Sequence, residues 1–159
     1  MKRIKELLFT FMVIGLFACE KQTFYSPYAQ LEADVIKIDK YLNENNIDAK
    51  KSNSGLRYVI HDEGLGSTPQ SGNIVKVHYT GTFLDGTKFD SSYDRNKPFE
   101  YTHGLGQVIR GWEEGLSYIG ERGKITLYVP SVLAYGSQGY GDIGPNENLI
   151  FDIELLSVQ

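Results

Sequence analysis

The side chains able to do chemistry in this 159-residue chain are few and of restricted kinds. Glu113 and Glu114 are adjacent, and neighbours on a helix point about 100° apart, so they do not clamp one substrate between two carboxylates. His61, His78 and His103 stand alone with no further ligand at metal spacing, so no zinc or other metal is expected. The single cysteine, Cys19, falls in an N-terminal leader. The sequence contains no phosphate-cradling glycine loop, no HExxH and no GxSxG elbow. What stands out is KFDSSYDRNKPFEY, residues 88–101, a glycine-free stretch expected to form a loop after a hairpin. In it Asp90 and Arg95 sit among Phe89 and Phe99, and Tyr79 ends the strand before it. Such a set either packs a core or lines an apolar hollow with an acid and a base at its edge, and the residues alone leave both readings open.

Something must hold these residues, and the periodicity of the chain indicates what. In VIRGWEEGL, Val108 to Leu116, the only tryptophan, Trp112, directly follows a glycine. Val108, Trp112, Leu116 and Ile119 share one helical stripe, Glu113 and Glu114 suit the positive end of the helix dipole, and Gly120 is expected to stop the helix. Gly111 and Gly115 each cost about 1 kcal/mol of helix propensity. They are expected to let the helix lie close to a sheet, with Trp112 facing inward as a floor. Around this helix apolar residues alternate at Leu56, Tyr58 and Ile60, at Val75, Val77 and Tyr79, at Ile125, Leu127 and Val129, and at Leu149, Phe151, Ile153 and Leu155. Short strands, a turn at Asp85 to Thr87 and a single helix predict an α+β domain, an antiparallel β-sheet wrapped around one short α-helix.

Upstream, Leu31, Val35, Ile38 and Leu42 recur at helical spacing in a charged background, which predicts an amphipathic helix over 29–45 and a linker over 46–54. Its apolar stripe either packs on the neighbouring domain or meets a partner protein or a second copy, and both stay open here. A net charge of −4 and a pI near 5.4 argue against nucleic acid as a partner. The first residues carry Lys2, Arg3 and Lys5, an apolar run from Leu7 to Phe17, and Ala18 before Cys19. That pattern predicts a signal peptide over 1–18 and a polar tether over 19–28.

The leader ends in LFAC, which resembles the lipobox of bacterial lipoproteins. The likeness implies cleavage before Cys19, lipid on its thiol, and anchoring to a membrane of the bacterial cell envelope. Downstream, HYTG at His78 to Gly81, DGTKFDSS at Asp85 to Ser92, RNKPF at Arg95 to Phe99, VIRGWEEGL, AYG at Ala134 to Gly136 and LIFDIELL at Leu149 to Leu156 resemble, in order and spacing, the FK506-binding class of peptidyl-prolyl isomerases. The resemblance covers residues 55–159. It implies a curved sheet around one helix, catalysed rotation of X-Pro bonds without a cofactor, and proline-containing polypeptides or FK506- and rapamycin-type macrolides as ligands. On matching positions it implies walls of Tyr79, Phe89, Phe99, Val108, Ile109 and Phe151 over a Trp112 floor. Asp90, paired with Arg95, and Tyr135 would stand at the edge, Tyr135 as donor to the carbonyl preceding proline, with Tyr140 and Ile143 on the rim.

The chain departs from that pattern at Gln107, where an acidic residue is common, and in SQGYGDIGPN (137–146), where Gly144 replaces a frequent proline and loosens the rim. DKYLNENNIDAK, residues 39–50, ahead of a lone isomerase domain resembles in addition the gliding-motility-associated isomerase lipoproteins. The alternative to catalysis is a non-catalytic module or chaperone that grips proline-bearing segments within an envelope complex.

Overall fold

The computed structural model describes residues 26–159, so the leader, Cys19 and most of the expected tether lie outside the described residues. The first element, α1, spans Pro27–Glu44. It begins two residues before the expected start because Pro27, at the head of a helix, has no N–H to leave unpaired, and Ser26 Oγ accepts from the Ala29 amide at 3.5 Å. Seven strands follow: β1 (Lys50–Lys51), β2 (Arg57–Asp62), β3 (Ile74–Phe83), β4 (Lys88–Ser91), β5 (Phe99–Thr102), β6 (Lys124–Val129) and β7 (Leu149–Val158), with a second helix, α2 (Arg110–Leu116), between β5 and β6. They form one antiparallel sheet in the order β1-β2-β6-β7-β3-β4, with β5 also paired to β3.

The four strands expected from alternation are present, and their inward residues form the core: Val75, Val77, Leu127, Val129, Leu149 and Leu155 are fully buried. Three strands were not expected. The supposed linker 46–54 contributes β1, which pairs Lys50 with Tyr58 and Lys51 with Arg57. The supposed loop 88–101 supplies β4 and β5, which share one edge of β3: Val77 faces Phe99, and Gly81 faces Asp90. Each is two to four residues long, too short for alternation to register.

Helix α2 has seven residues, shorter than its apolar stripe implies. After Leu116 the amide bonds tighten to i−3 spacing, from Ser117 to Glu114, Tyr118 to Gly115 and Ile119 to Leu116. Gly120 therefore does not end the helix; it makes room for the connection between β2 and β3, since a Cβ there would lie 2.4 Å from Leu65 O. Gly111 and Gly115 do what their cost in propensity suggested. A Cβ at Gly111 would fall 2.5 Å from Val129 Cγ1, and one at Gly115 2.5 Å from Leu127 Cδ2, so only glycine lets α2 rest on β6.

Leu127 and Val129 thus face α2, and Tyr128 between them faces the other side of the sheet. There Tyr128 pairs with Ile150 of β7, and both pack against Ile38 and Leu42 of α1. Ile38 and Leu42 of the N-terminal helix are thus covered by its own domain, while Leu31 and Val35 of the same stripe are half-buried. The sheet is held between α2 on its inner face and α1 on its outer face.

Candidate active site

The hollow lies between the inner face of the sheet and the N-terminal end of α2, with a volume of about 810 Å³. Trp112 is its floor and is 4% exposed. The indole is surrounded by ring edges: Tyr79 at 5.0 Å, Phe151 at 5.3 Å and Phe99 at 6.0 Å between centroids, with interplanar angles of 80°, 88° and 80°. Edge-to-face pairs of this kind contribute about 0.5–1.5 kcal/mol each beyond burial and so favour this arrangement of the rings. The Trp112 Nε1–H is buried with no partner among the described residues, which costs about 1–3 kcal/mol.

Phe89 and Asp90 both line the hollow although they are neighbours on β4, where a regular strand would send them to opposite faces. The reason is a bulge. Gly81 pairs with Asp90 and Thr82 with Lys88, which leaves Phe89 as the extra residue and turns both side chains inward. Gly81 makes this bulge feasible, because a Cβ there would collide with the Phe89 ring at 2.5 Å.

At the edge, Asp90, Arg95 and Tyr79 close a three-membered net. Tyr79 Oη donates to Asp90 Oδ2, Arg95 Nη1 donates to Asp90 Oδ1, and Arg95 Nη2 donates to Tyr79 Oη at 2.9 Å. Burial pushes the Tyr79 phenol up to about 12, helped by the adjacent Asp90 carboxylate, so it stays a neutral donor. Burial also works against the Asp90 charge, but the hydrogen bonds from Tyr79 and Arg95 outweigh it and hold the carboxyl below its ordinary value.

Val108 and Ile109, just ahead of α2, complete the apolar wall, and Ala134, Tyr135 and Tyr140 form the opposite rim. Tyr135 stacks on Tyr140 at 5.3 Å and 15°. Burial, then Tyr140 and Asp90, raise its phenol above the usual value, so it too is protonated at neutral pH. Eleven of the twelve wall, floor, edge and rim residues expected from the sequence converge on this hollow. Ile143 does not: it is buried in the core, and its backbone pairs with that of Tyr140 at 2.9 Å in both directions, so it shapes the rim from behind.

Two side chains matter in ways the sequence reading missed. Glu113, expected to serve the helix dipole, accepts from the amides of Gly104 at 2.6 Å and Gly106 at 3.3 Å, and so pins the loop that leads into Val108. Gln107 lies on the same loop and lines the hollow, but its Oε1 accepts from Thr102 N at 2.8 Å. Neither role carries a signal in spacing, since each depends on how the loop folds back on α2.

The hollow in the curled sheet is lined mainly by aromatic and aliphatic side chains, with Asp90, Arg95, Gln107 and Arg110 among them and no serine, cysteine, histidine or lysine among the described residues. The model of the FKBP-type peptidyl-prolyl cis-trans isomerase family matches residues 66–156, more than half of the chain, and the chain belongs to that family. It is 52% identical over 107 residues to the peptidyl-prolyl cis-trans isomerase Fkbp12 of Drosophila melanogaster, covering 66% of this chain and 99% of that protein. With the FKBP-type isomerase FkpA of Aeromonas hydrophila it shares 46% identity over 125 residues, 77% of this chain but only 46% of the relative's length. The crystal structure of FkpA from Escherichia coli superimposes with a TM-score of 0.71 and 40% identity, over 83% of this chain and 64% of that one. That of AtFKBP13 gives 0.66 and 37%, over 70% and 99%.

Proposed function

We propose that this chain accelerates cis-trans interconversion of X-Pro bonds in polypeptides of the bacterial cell envelope, where lipid on Cys19 holds it to a membrane. The observation that carries the isomerase reading is the aromatic bowl with Trp112 at its base, open on one side and large enough for a proline ring and its flanking residues. A planar X-Pro amide is held by resonance behind a barrier of about 18–20 kcal/mol. Twisted halfway, it has lost that resonance and the charge separation that goes with it, so a water-poor apolar hollow favours the twisted form over the planar one.

Tyr135, a neutral donor on the rim, suits the carbonyl that precedes proline. Asp90 has its charge committed to Tyr79 and Arg95 and organises the wall without reacting. A thousandfold to millionfold acceleration needs only about 4–8 kcal/mol, within reach of shape and one or two hydrogen bonds. The alternative is a non-catalytic gripping module with helix 29–45 as its partner surface, of which Ile38 and Leu42 are already packed on the helix's own domain.

The direct test is exchange spectroscopy on a proline tetrapeptide. Uncatalysed interconversion takes tens to hundreds of seconds, and the chain should shorten it by about three orders of magnitude or more. An unchanged rate sinks the proposal. An FK506- or rapamycin-type macrolide should suppress the acceleration and alter the emission of Trp112, the only tryptophan. For the anchor, mass spectrometry of the membrane-bound protein should find Cys19 as an acylated N-terminus; a free thiol behind an intact leader would remove that part of the reading.

A further inference from the structure

The rim that carries Ala134 and Tyr135 belongs to the long connection between Val129, where β6 ends, and Leu149, where β7 begins. Apart from two one-turn helices the connection has no regular structure, so no sheet ladder sets its position. Its two feet are tied to each other: the Ser131 amide donates to Asn148 Oδ1 at 3.0 Å. Behind the feet lies Asp34 of α1, a carboxylate with no exposed surface. Ser131 Oγ donates to Asp34 Oδ2 at 2.6 Å, Gln30 Nε2 donates to Asp34 Oδ1 at 2.7 Å, and Asn148 Nδ2 donates to the Asp34 carbonyl at 3.4 Å.

Asp34 occupies the docking stripe of the helix, one turn before Ile38 and two before Leu42, the other residues of α1 that are buried. An apolar side chain would serve docking at least as well, because a buried carboxylate is expensive unless its bonds are complete. What a carboxylate adds is direction. From Ser131 the path to the hollow is short: its carbonyl accepts from the Ala134 amide at 2.9 Å, and Tyr135 follows. The other end of the connection is hooked to the same place, with the Asn146 amide donating to Gly136 O at 2.8 Å.

The geometry points to α1 as a brace for the rim of the active-site hollow, with Asp34 as a positioning residue that acts through Ser131 and Asn148 on the segment presenting Ala134 and Tyr135. A buried net of hydrogen bonds favours one arrangement, and small displacements of a binding group are enough to lose rate. This inference rests on the isomerase reading of the hollow.

The test uses the full chain and the proline tetrapeptide, with kcat and KM measured well below the melting temperature. Asp34→Ala and Ser131→Ala should each lower kcat/KM about tenfold, and the double variant should lose no more than the worse single one, as expected of groups in one net. Asp34→Asn should recover most of the loss, since its amide oxygen still accepts from Ser131. Amide exchange over 131–148 should quicken in both alanine variants and stay unchanged in β3 and β7. Lower melting with unchanged kcat/KM and unchanged exchange over 131–148 would show a merely structural contact and overturn the brace, as would losses that simply add. Should Asp34→Ala fail to fold, Ser131→Ala decides, because it keeps every apolar contact of α1. A wild-type chain without isomerase activity would overturn the reading of the hollow instead, and the exchange measurement would still decide the brace.

Discussion

At the scale of single residues, the site works through groups that do not change charge near neutral pH. Tyr79 is pushed up to about 12, Tyr135 is raised, and Asp90 is held below its ordinary value of 3.8. None of these three titrates between about pH 5 and 9, so kcat/KM for a substrate without ionisable groups should be flat across that range; a bell-shaped profile would mean that proton transfer contributes. The wall and the donor can be separated by two substitutions. Phe99→Ala removes one edge of the bowl and opens it to water, so kcat/KM should fall more than tenfold, about 1.4 kcal/mol or greater. Tyr135→Phe keeps the ring and its stack on Tyr140 but removes the hydroxyl, and should lose less, about three- to tenfold for one neutral hydrogen bond. If the two losses were reversed, the hydrogen bond would outweigh the apolar surroundings.

At the scale of elements, the glycines of α2 decide how deep the bowl is. Gly111→Ala and Gly115→Ala each gain about 1 kcal/mol of helix propensity, yet the added methyl meets Val129 or Leu127 at 2.5 Å. Overpacking of this kind costs about 1–3 kcal/mol, so each variant should unfold at lower urea concentration than wild type. A midpoint that rose would mean that α2 can lift off β6 without penalty. This contact was readable in advance, because two glycines beside a tryptophan in a helical stripe make sense only if something approaches closely. The strands of six or more residues were equally legible. Phe89 was different: that it and Asp90 point the same way depends on a bulge opposite Gly81, and nothing in KFDS marks it. Glu113 does stand in the first turn of α2 as expected, but its bonds to the amides of Gly104 and Gly106 were not legible for a related reason, since they are set by a loop whose path is a tertiary outcome. Ile143 was assigned to the rim by likeness to the family, whereas here the turn at Tyr140 folds it into the core.

At the scale of the whole molecule, the helix α1 is joined to the sheet by apolar contacts and by two ion pairs that share Asp39, with Arg57 of β2 and Lys51 of β1, whose pH dependence can be worked out. Arg57, 7% exposed, donates to Asp39 from Nε at 2.8 Å and from Nη2 at 3.1 Å, while its Nη1 donates to Gly55 O at 3.1 Å. The Arg57 hydrogen bonds, with Lys51 adding to them against the opposing effect of burial, hold the Asp39 carboxyl below its ordinary value of 3.8. A carboxylate depressed on folding stabilises the native state fully above the unfolded value and loses that contribution as pH falls through the lower folded one. Asp39→Asn should therefore melt below wild type at pH 7 by an amount that persists to about pH 5, and the gap should close as pH drops beneath 3.8 and the wild-type carboxyl takes up its proton. Thermal unfolding followed by circular dichroism across that range measures the gap directly. A gap that stayed constant into acid would show that the variant acts through packing of α1 and not through the charge of Asp39.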